Sequence, residues 1–317
     1  MTYYLITGIG GDIAQGISRI IRAYDQSSIL IGTDISKRHA GSLFVDHFKV
    51  IPSAGEVDSY LDRLQRLVVE FDINYLIPTS ETEIEAISNH IELFQDIHVI
   101  YPGTKVVEKC VDKYITNKYL SSLGLPVPWT STSQESVPVD YPCIFKGRKG
   151  AGSKVLFTVG SADEALFLVK RYPDGIFQEL LLPHDNEITC GVFRSKNNKI
   201  AVLQFQRVLN EGTTSWAKTV YYQDIEDMCK FVAENLELEG SMNVQLRLTD
   251  DGPRIFEINP RFSSTVYMRH LIGFDDVVWS IRDAKGLGFD FPNISPGIEC
   301  VRTQKAELLP LKSVCDS

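Results

Sequence analysis

The 317-residue chain contains no C-x-x-C pair, and its six cysteines stand far apart, at 110, 143, 190, 229, 300 and 315. That spacing suggests neither a zinc site nor a dithiol redox motif, and reduced thiols in a cytoplasmic protein are the expectation. No block of basic residues occurs and the formal net charge is −9, so nucleic acid is not an expected partner. No apolar run approaches membrane-spanning length. The start, M-T-Y-Y-L-I-T-G, leads straight into a strand pattern without the regions of a signal peptide. Repeats and low-complexity segments are also missing. What remains is ordinary for a soluble globular chain, with 44% hydrophobic and 23% charged residues. The length allows two or three domains with their own cores.

The most informative stretch lies late in the chain. Met242, Val244, Leu246 and Leu248 alternate with Asn243, Gln245 and Arg247, the period of a strand. Asp250-Asp251-Gly252 reads as a three-residue hairpin loop, with glycine where φ must be positive. Thr249 would then face Pro253, Gln245 would face Glu257, and Asn243 would face Asn259. Val244 with Ile258 and Leu246 with Phe256 would form the apolar face. The other face gathers the Glu257 carboxylate and three amides, and Arg261 follows directly after Pro260. Such oxygen ligands suit magnesium, which takes one or two carboxylates and completes its shell with phosphate oxygens. Arg261 could steady that phosphate through parallel N–H donors. A solvated hairpin face would explain E-x-N alone; the facing N-x-Q and the following P-R favour the metal site.

Residues 3–7 read as a buried parallel strand, Gly8–Asp12 as a turn, 13–23 as a helix and Leu30–Asp34 as a strand ending in an acid. This β-α-β unit sets a glycine turn at a helix N-terminus, a favourable place for anions. As a dinucleotide fingerprint it is imperfect, because G-x-G-x-x-G needs glycine where Ile13 stands. A tight strand-to-helix turn is reason enough for the glycines. Tyr114 and Lys118 match the Y-x-x-x-K pair of short-chain dehydrogenases, which makes an NAD(P)-dependent dehydrogenase the alternative enzyme. The serine that accompanies that pair upstream is missing, and residues four apart share a helix face by chance. Residues 57–71 read as an amphipathic helix and 75–78 as a strand. Ser80 and Glu83 form a capping-box pattern, although Glu81 or Glu83 could instead reach a ligand at the C-terminal end of the sheet. A last strand at 97–101 closes the first domain near residue 105.

Residues 105–123 read as one helix. Tyr141–Val159 reads as two strands joined by a basic, glycine-rich loop. Gly147, Gly150 and Gly152 let backbone N–H groups wrap an anion, and Lys146, Arg148, Lys149 and Lys154 add positive charge. Glycines suit any hairpin turn, but four cations in an acidic chain favour a phosphate-covering lid. A helix starting at Ser161 follows, then an apolar strand at 176–182, sheet strands at 189–193 and 200–207, and a helix at 224–238. Nothing after Asp275 can be assigned.

F-E-I-N-P-R-F-S with its upstream N-V-Q, and D-K…L-G-L-P-V-P between Asp112 and Pro128, closely resemble the ATP-grasp superfamily. The nearest in kind are the large subunit of carbamoyl-phosphate synthase and the smaller carboxylate–amine ligases similar to it. The resemblance implies an α/β chain. A Rossmann-like, pre-ATP-grasp parallel-sheet domain would span 1–105. A two-subdomain α+β ATP-grasp fold would span 106–317, with a lid subdomain at about 125–178. It implies ATP and Mg²⁺, or Mn²⁺ in its place, with Gln245, Glu257 and Asn259 as metal ligands. Lys113, Lys146, Arg148, Gly152 and Ser153 would meet the phosphates, with Lys118 a less direct neighbour. The backbone at Glu179 and Leu181 would hold adenine, and Glu187 the ribose hydroxyls. Lys146, Arg207 and Arg261 would act on the transferred phosphoryl group, and Glu211-Gly212-Thr213-Thr214 would form the substrate loop. The implied activity is ATP-dependent joining of a small carboxylate and an amine through an acyl phosphate, releasing ADP and phosphate. It would take place in the cytoplasm, in a monomer or homodimer. A non-catalytic ATP sensor is the other alternative, and nothing in the sequence names the substrates.

Overall fold

The computed structural model describes residues 1–135, 138–150, 155–210 and 212–308. Its first sheet is parallel, with strands β1 (Tyr3–Ile6), β2 (Ile29–Asp34), β3 (His47–Val50), β4 (Tyr75–Ile77) and β5 (His98–Val99) in the order β3-β2-β1-β4-β5. Its central strands are continuous apolar runs because both faces are covered. Tyr4 and Ile6 pack with Ile17, Ile20 and Ile21 of the helix Asp12–Tyr24. Leu5 turns the other way, toward Tyr60, Leu61 and Leu64 of the helix Val57–Glu70. The first face also receives Phe262, Val266, Val277 and Ile281 from late in the chain, so the C-terminal helices share a core with the first sheet.

The lid sheet consists of β6 (Thr130–Thr132), β7 (Cys143–Gly147), β8 (Leu156–Val159) and β9 (Gly175–Glu179), in the order β6-β9-β7-β8. The helix Ala162–Arg171 packs on it through Ala165 and Leu168, against Phe145 and Phe177. Ser161 caps that helix by accepting from the Glu164 N–H. Gly175 is required here, because a Cβ would lie 2.0 Å from Phe145 Cζ.

The large antiparallel sheet holds β10 (Glu187–Arg194), β11 (Ile200–Asn210), β12 (Thr213–Val220), β13 (Gly240–Thr249), β14 (Gly252–Asn259) and β15 (Glu299–Val301). The order is β14-β13-β10-β11-β12-β15. Its core face packs Cys190, Val192, Val244 and Ile258 against Ile225, Cys229 and Val232 of the helix Gln223–Asn235. β15 belongs to the tail that the sequence left unassigned; it adds to the edge of β12.

Two further expectations change. The single helix at 105–123 is two helices, Thr104–Cys110 and Lys113–Ser122. Asp112 starts the second as its N-cap, accepting from the N–H groups of Tyr114 and Ile115. In the β13–β14 hairpin, Thr249 pairs with Gly252 rather than Pro253, so the loop is only Asp250-Asp251. Leu246 then pairs with Ile255, not Phe256. A one-residue bulge at Phe256 restores the expected pairs Gln245–Glu257, Val244–Ile258 and Asn243–Asn259. A bulge re-aims side chains: Ile255 and Ile258 enter the core, while Phe256 turns with Glu257 to the opposite face.

Candidate active site

The lid, the polar face of the large sheet and the first turn of the helix Asp12–Tyr24 enclose a cavity of about 880 Å³. The hairpin sends Gln245, Glu257 and Asn259 into it, and Arg261 follows at the end of β14. Asn243 does not join them. It is fully buried and accepts a hydrogen bond from Thr189 Oγ1 at 2.9 Å, so it holds the sheet together.

Three cations converge on Glu257. Lys113 Nζ lies 3.4 Å from Glu257 Oε1 and donates to the Gly150 carbonyl at 2.7 Å. Lys146 Nζ donates to the Phe256 carbonyl at 3.3 Å and stands 5.6 Å above the Phe256 ring. Arg261 Nη2 donates to Asn259 Oδ1 at 3.2 Å and lies 3.4 Å from Glu81 Oε1. Burial pushes the Glu257 pKa up, but Lys146, Lys113 and Arg261 outweigh it and hold the carboxyl below its usual range. Burial pulls Lys146 down to about 8, with Glu257 opposing and Lys113 adding repulsion. An enclosed yet ionised carboxylate beside two amide side chains is a donor set that fits a hard cation. Among the described residues, no three His, Cys, Asp or Glu side chains gather into a candidate metal cluster.

At the other end, Glu179, Leu181 and Glu187 line the cavity. The Glu179 carboxylate is a tether, accepting from Arg254 Nη1 at 2.6 Å and from the Trp129 N–H at 3.1 Å. Its side chain is thereby engaged and only its backbone is left for a ligand. Glu187 accepts from Arg207 Nε at 2.9 Å, Arg207 Nη2 at 2.6 Å and Arg247 Nη2 at 2.9 Å. Arg247 also donates to the Leu181 carbonyl at 3.1 Å, and its guanidinium lies 5.9 Å above the Phe256 ring.

The lid hairpin contributes Lys146, Gly147, Lys149 and Gly150 to the lining, but the structure does not bring Arg148 there. Arg148 Nε donates to Asp112 Oδ2 at 2.6 Å and its guanidinium lies over Tyr114, because the helix cap offers it a carboxylate. Lys149 pairs with Glu85 at 2.8 Å, tying the lid to the first sheet's domain. Gly152, Ser153, Lys154 and Glu211 lie outside the described residues.

The other candidates settle into structural roles. Glu83 completes the capping box with Ser80. Glu81 backs Arg261; burial raises its pKa against the pull of Arg261 and Lys113. Neither lines the cavity. Tyr114 and Lys118 also lie off it, the ammonium 5.2 Å above the phenol ring, and the phenol donates to Glu135 Oε1 at 2.5 Å. Asp34 accepts from the Gly10 N–H at 2.9 Å, and a Cβ on Gly10 would strike the His39 ring at 2.7 Å. The glycine turn is thus filled by the protein's own groups.

Sequence reasoning missed several lining residues: Asp12, Ile13, Arg247, Phe256, Ser263 and Ser264. Arg247 shares the polar alternation of Asn243 and Gln245, so its face was legible but its partners were not. Nothing pointed to Arg302, which donates from Nε to the Thr214 carbonyl at 2.9 Å and from Nη2 to the Ser264 carbonyl. Its guanidinium also lies 3.3 Å from Asp12, so one tail residue holds three segments at the cavity's edge.

The site is thus a cavity lined with cations, between a small antiparallel sheet and the polar face of a larger one, with one ionised carboxylate on a hairpin, in an α/β protein. Residues 110–265, just under half of the chain, match the family model of the ATP-grasp domain. The carbamoyl phosphate synthase large chain of Pyrococcus furiosus is 26% identical over a region covering 51% of this chain. That region spans only 18% of the synthase chain. Among solved structures, N5-carboxyaminoimidazole synthetase from Staphylococcus aureus, complexed with ADP, superposes with a TM-score of 0.75 at 14% identity. The superposition covers 92% of this chain and 79% of the other. The biotin carboxylase domain of Hydrogenobacter thermophilus 2-oxoglutarate carboxylase, in complex with MgADP, ADP and bicarbonate, gives 0.74 at 15% identity. There the coverage is 94% and 73%. These likenesses establish the fold: a parallel-sheet domain followed by a small and a large antiparallel sheet. Among the described residues no helix is long and apolar enough to cross a membrane.

Proposed function

We propose that the protein is an ATP-dependent ligase that joins a small carboxylate to an amine through an acyl phosphate, with release of ADP and phosphate. The observation that carries this reading is the convergence of Lys113, Lys146 and Arg261 on the single carboxylate Glu257. Three cations around two carboxylates, Glu257 and the Glu81 behind Arg261, leave a net positive charge that suits a metal-bound polyphosphate. Glu257, Asn259 and Gln245 would hold Mg²⁺, which when bound supplies charge neutralisation to the phosphates. Lys113 and Lys146 bind phosphate oxygens, and Arg261, braced by Glu81, steadies the phosphoryl group in transfer. The backbone around Glu179–Leu181 seats adenine, and Ile144 and Leu156 of the lid, both lining the cavity, exclude water from above. A substrate carboxylate oxygen attacks the γ-phosphorus and ADP leaves with the bridging oxygen. The amine nitrogen then attacks the acyl carbon and phosphate leaves.

The test is a search for nucleotide turnover with Mg-ATP against panels of amino acids and sugar acids, with chromatography of the products. ADP and phosphate formed only with the correct carboxylate, together with a hydroxamate when hydroxylamine is present, are the expected result. AMP as the main product would overturn the acyl-phosphate mechanism. ATP binding without turnover on any carboxylate would favour a sensor, and NAD(H) consumption a dehydrogenase.

A further inference from the structure

Among the described residues, four carboxylates line the cavity: Asp12, Glu179, Glu187 and Glu257. Glu179 and Glu187 accept from arginines, and Glu257 stands among the cations at the hairpin. Asp12 differs from all three. It opens the helix Asp12–Tyr24 directly after the N-cap Gly11. Its Oδ2 is buried and accepts no hydrogen bond from the described residues. Arg302 Nη2 lies 3.3 Å from that oxygen, but the guanidinium aims its N–H groups at the carbonyls of Thr214 and Ser264. Arg302 therefore fixes Asp12 by charge and leaves its lone pairs open.

The hydroxyls of the same end of the cavity are already engaged. Ser263 Oγ accepts from Arg269 Nη1 at 2.8 Å. Ser264 Oγ donates to Thr214 Oγ1 at 3.3 Å, and Thr213 Oγ1 donates to the Asn210 carbonyl at 2.9 Å. The polar group left in want of a partner is the Asp12 carboxylate. It stands near the phosphate end, since Ser264, whose carbonyl Arg302 grips, follows closely after Arg261. Ile13 beside it adds an apolar wall.

We propose that Asp12 binds an alkylammonium group of a substrate, and so selects substrates that carry a primary aliphatic amine. The inference rests on the ligase reading and names a substrate class for it. A primary alkylamine is a cation at neutral pH, as a lysine side chain is with its pKa of about 10.4. Lys113, Lys146 and Arg261 repel such a cation from the phosphate end. Asp12 offers it a charge-assisted hydrogen bond, and Ile13 covers the adjoining carbons. Two sources bring the same chemistry: the amine substrate itself, or an amino group carried by the carboxylate substrate.

ADP formation from Mg-ATP in two arms tests the proposal and separates the sources. In the first, hydroxylamine serves as the amine, and amino acids are compared with the matching 2-hydroxy acids. In the second, the best acid is held constant and primary alkylamines, amino acids among them, replace hydroxylamine. Asp12→Asn should raise the KM of the ammonium-bearing compound by about tenfold or more, the range of one charge-assisted hydrogen bond. The KM for Mg-ATP should stay within about twofold, which also shows that the variant is folded. Asp12→Glu keeps the carboxylate and should recover part of the loss. A rise in the first arm places the ammonium on the carboxylate substrate; a rise confined to the second places it on the amine. An unchanged KM in both arms overturns the proposal, as does a 2-hydroxy acid used as well as its amino acid with no alkylamine sensitive to Asp12. In those cases ADP and phosphate still form, and the ligase reading stands. Mg-ATP bound without turnover on any compound removes both.

Discussion

Lys113 Nζ lies 3.4 Å from Glu257 Oε1 while donating to the Gly150 carbonyl at 2.7 Å, so one ammonium joins the β13–β14 hairpin to the loop after β7. Lys113 stands there because Asp112 restarts the helix immediately before it. Replacing Lys113 or Lys146 by alanine should weaken ATP binding by ~1.5–3 kcal/mol each, the value of a charge-assisted contact. Calorimetry with Mg-ATP checks this, and unchanged affinity in both variants would remove the lid assignment.

Glu257→Ala should abolish turnover, since the hairpin then offers a hard cation only neutral amides. Asn259→Ala should reduce it less. The measurement is ADP formation across a magnesium titration, and near-native activity of Glu257→Ala would eliminate this metal site.

Lys146 supplies a pH signature. Its pKa in the fold is about 8 against the ordinary 10.5. Between those values the unfolded chain binds more protons than the native one, so Lys146 makes the empty protein more stable as pH rises through that window. The same deprotonation removes a phosphate partner, so ATP affinity should fall as pH rises above about 8. Lys146→Arg keeps its charge, and its affinity should stay level over that range. Parallel profiles for wild type and Lys146→Arg would show that Lys146 is not the titrating group.

Arg269 and Asp276 form a buried ion pair at 2.6 Å, with exposures of 0% and 1%. Arg269 also donates to Ser263 and Thr265, fixing the loop beyond Arg261. Asp276→Ala should cost ~3–5 kcal/mol, because it strands a buried guanidinium. Urea denaturation measures this, and the apolar double variant R269M/D276L should recover much of the loss.

How much of this was legible follows from the kind of signal each element gives. The alternation of Asn243, Gln245 and Arg247 and the spacing of Glu257 and Asn259 are local, and their cross-strand pairs could be read from the chain. The turn was read one residue too long, and the pairs survived only because the bulge at Phe256 adds back one residue. Asp112 is a strong N-cap residue inside an apolar helical pattern, where periodicity masked the break. Arg148 and Arg207 were read as free charges; their partners Asp112 and Glu187 lie 36 and 20 residues away in the chain. Arg302 lies beyond local reasoning altogether, since its three contacts join segments from both ends of the chain.

The bulge at Phe256 has a further consequence for how this hairpin tolerates change. Without that one residue, the chain from Ile255 to Asn259 would form an unbroken ladder with Leu246 to Asn243, and every metal-side pair would keep its partner. Phe256 is in this sense an insertion that the register does not feel. It supplies an aromatic floor beneath Arg247 and a carbonyl for Lys146. Deleting it would leave the strand pairing and the Gln245–Glu257 pair in place while removing the surface on which two cations rest. The hairpin thereby separates two properties that a regular strand cannot vary independently: where its carboxylate stands, and what lies next to it on the same face.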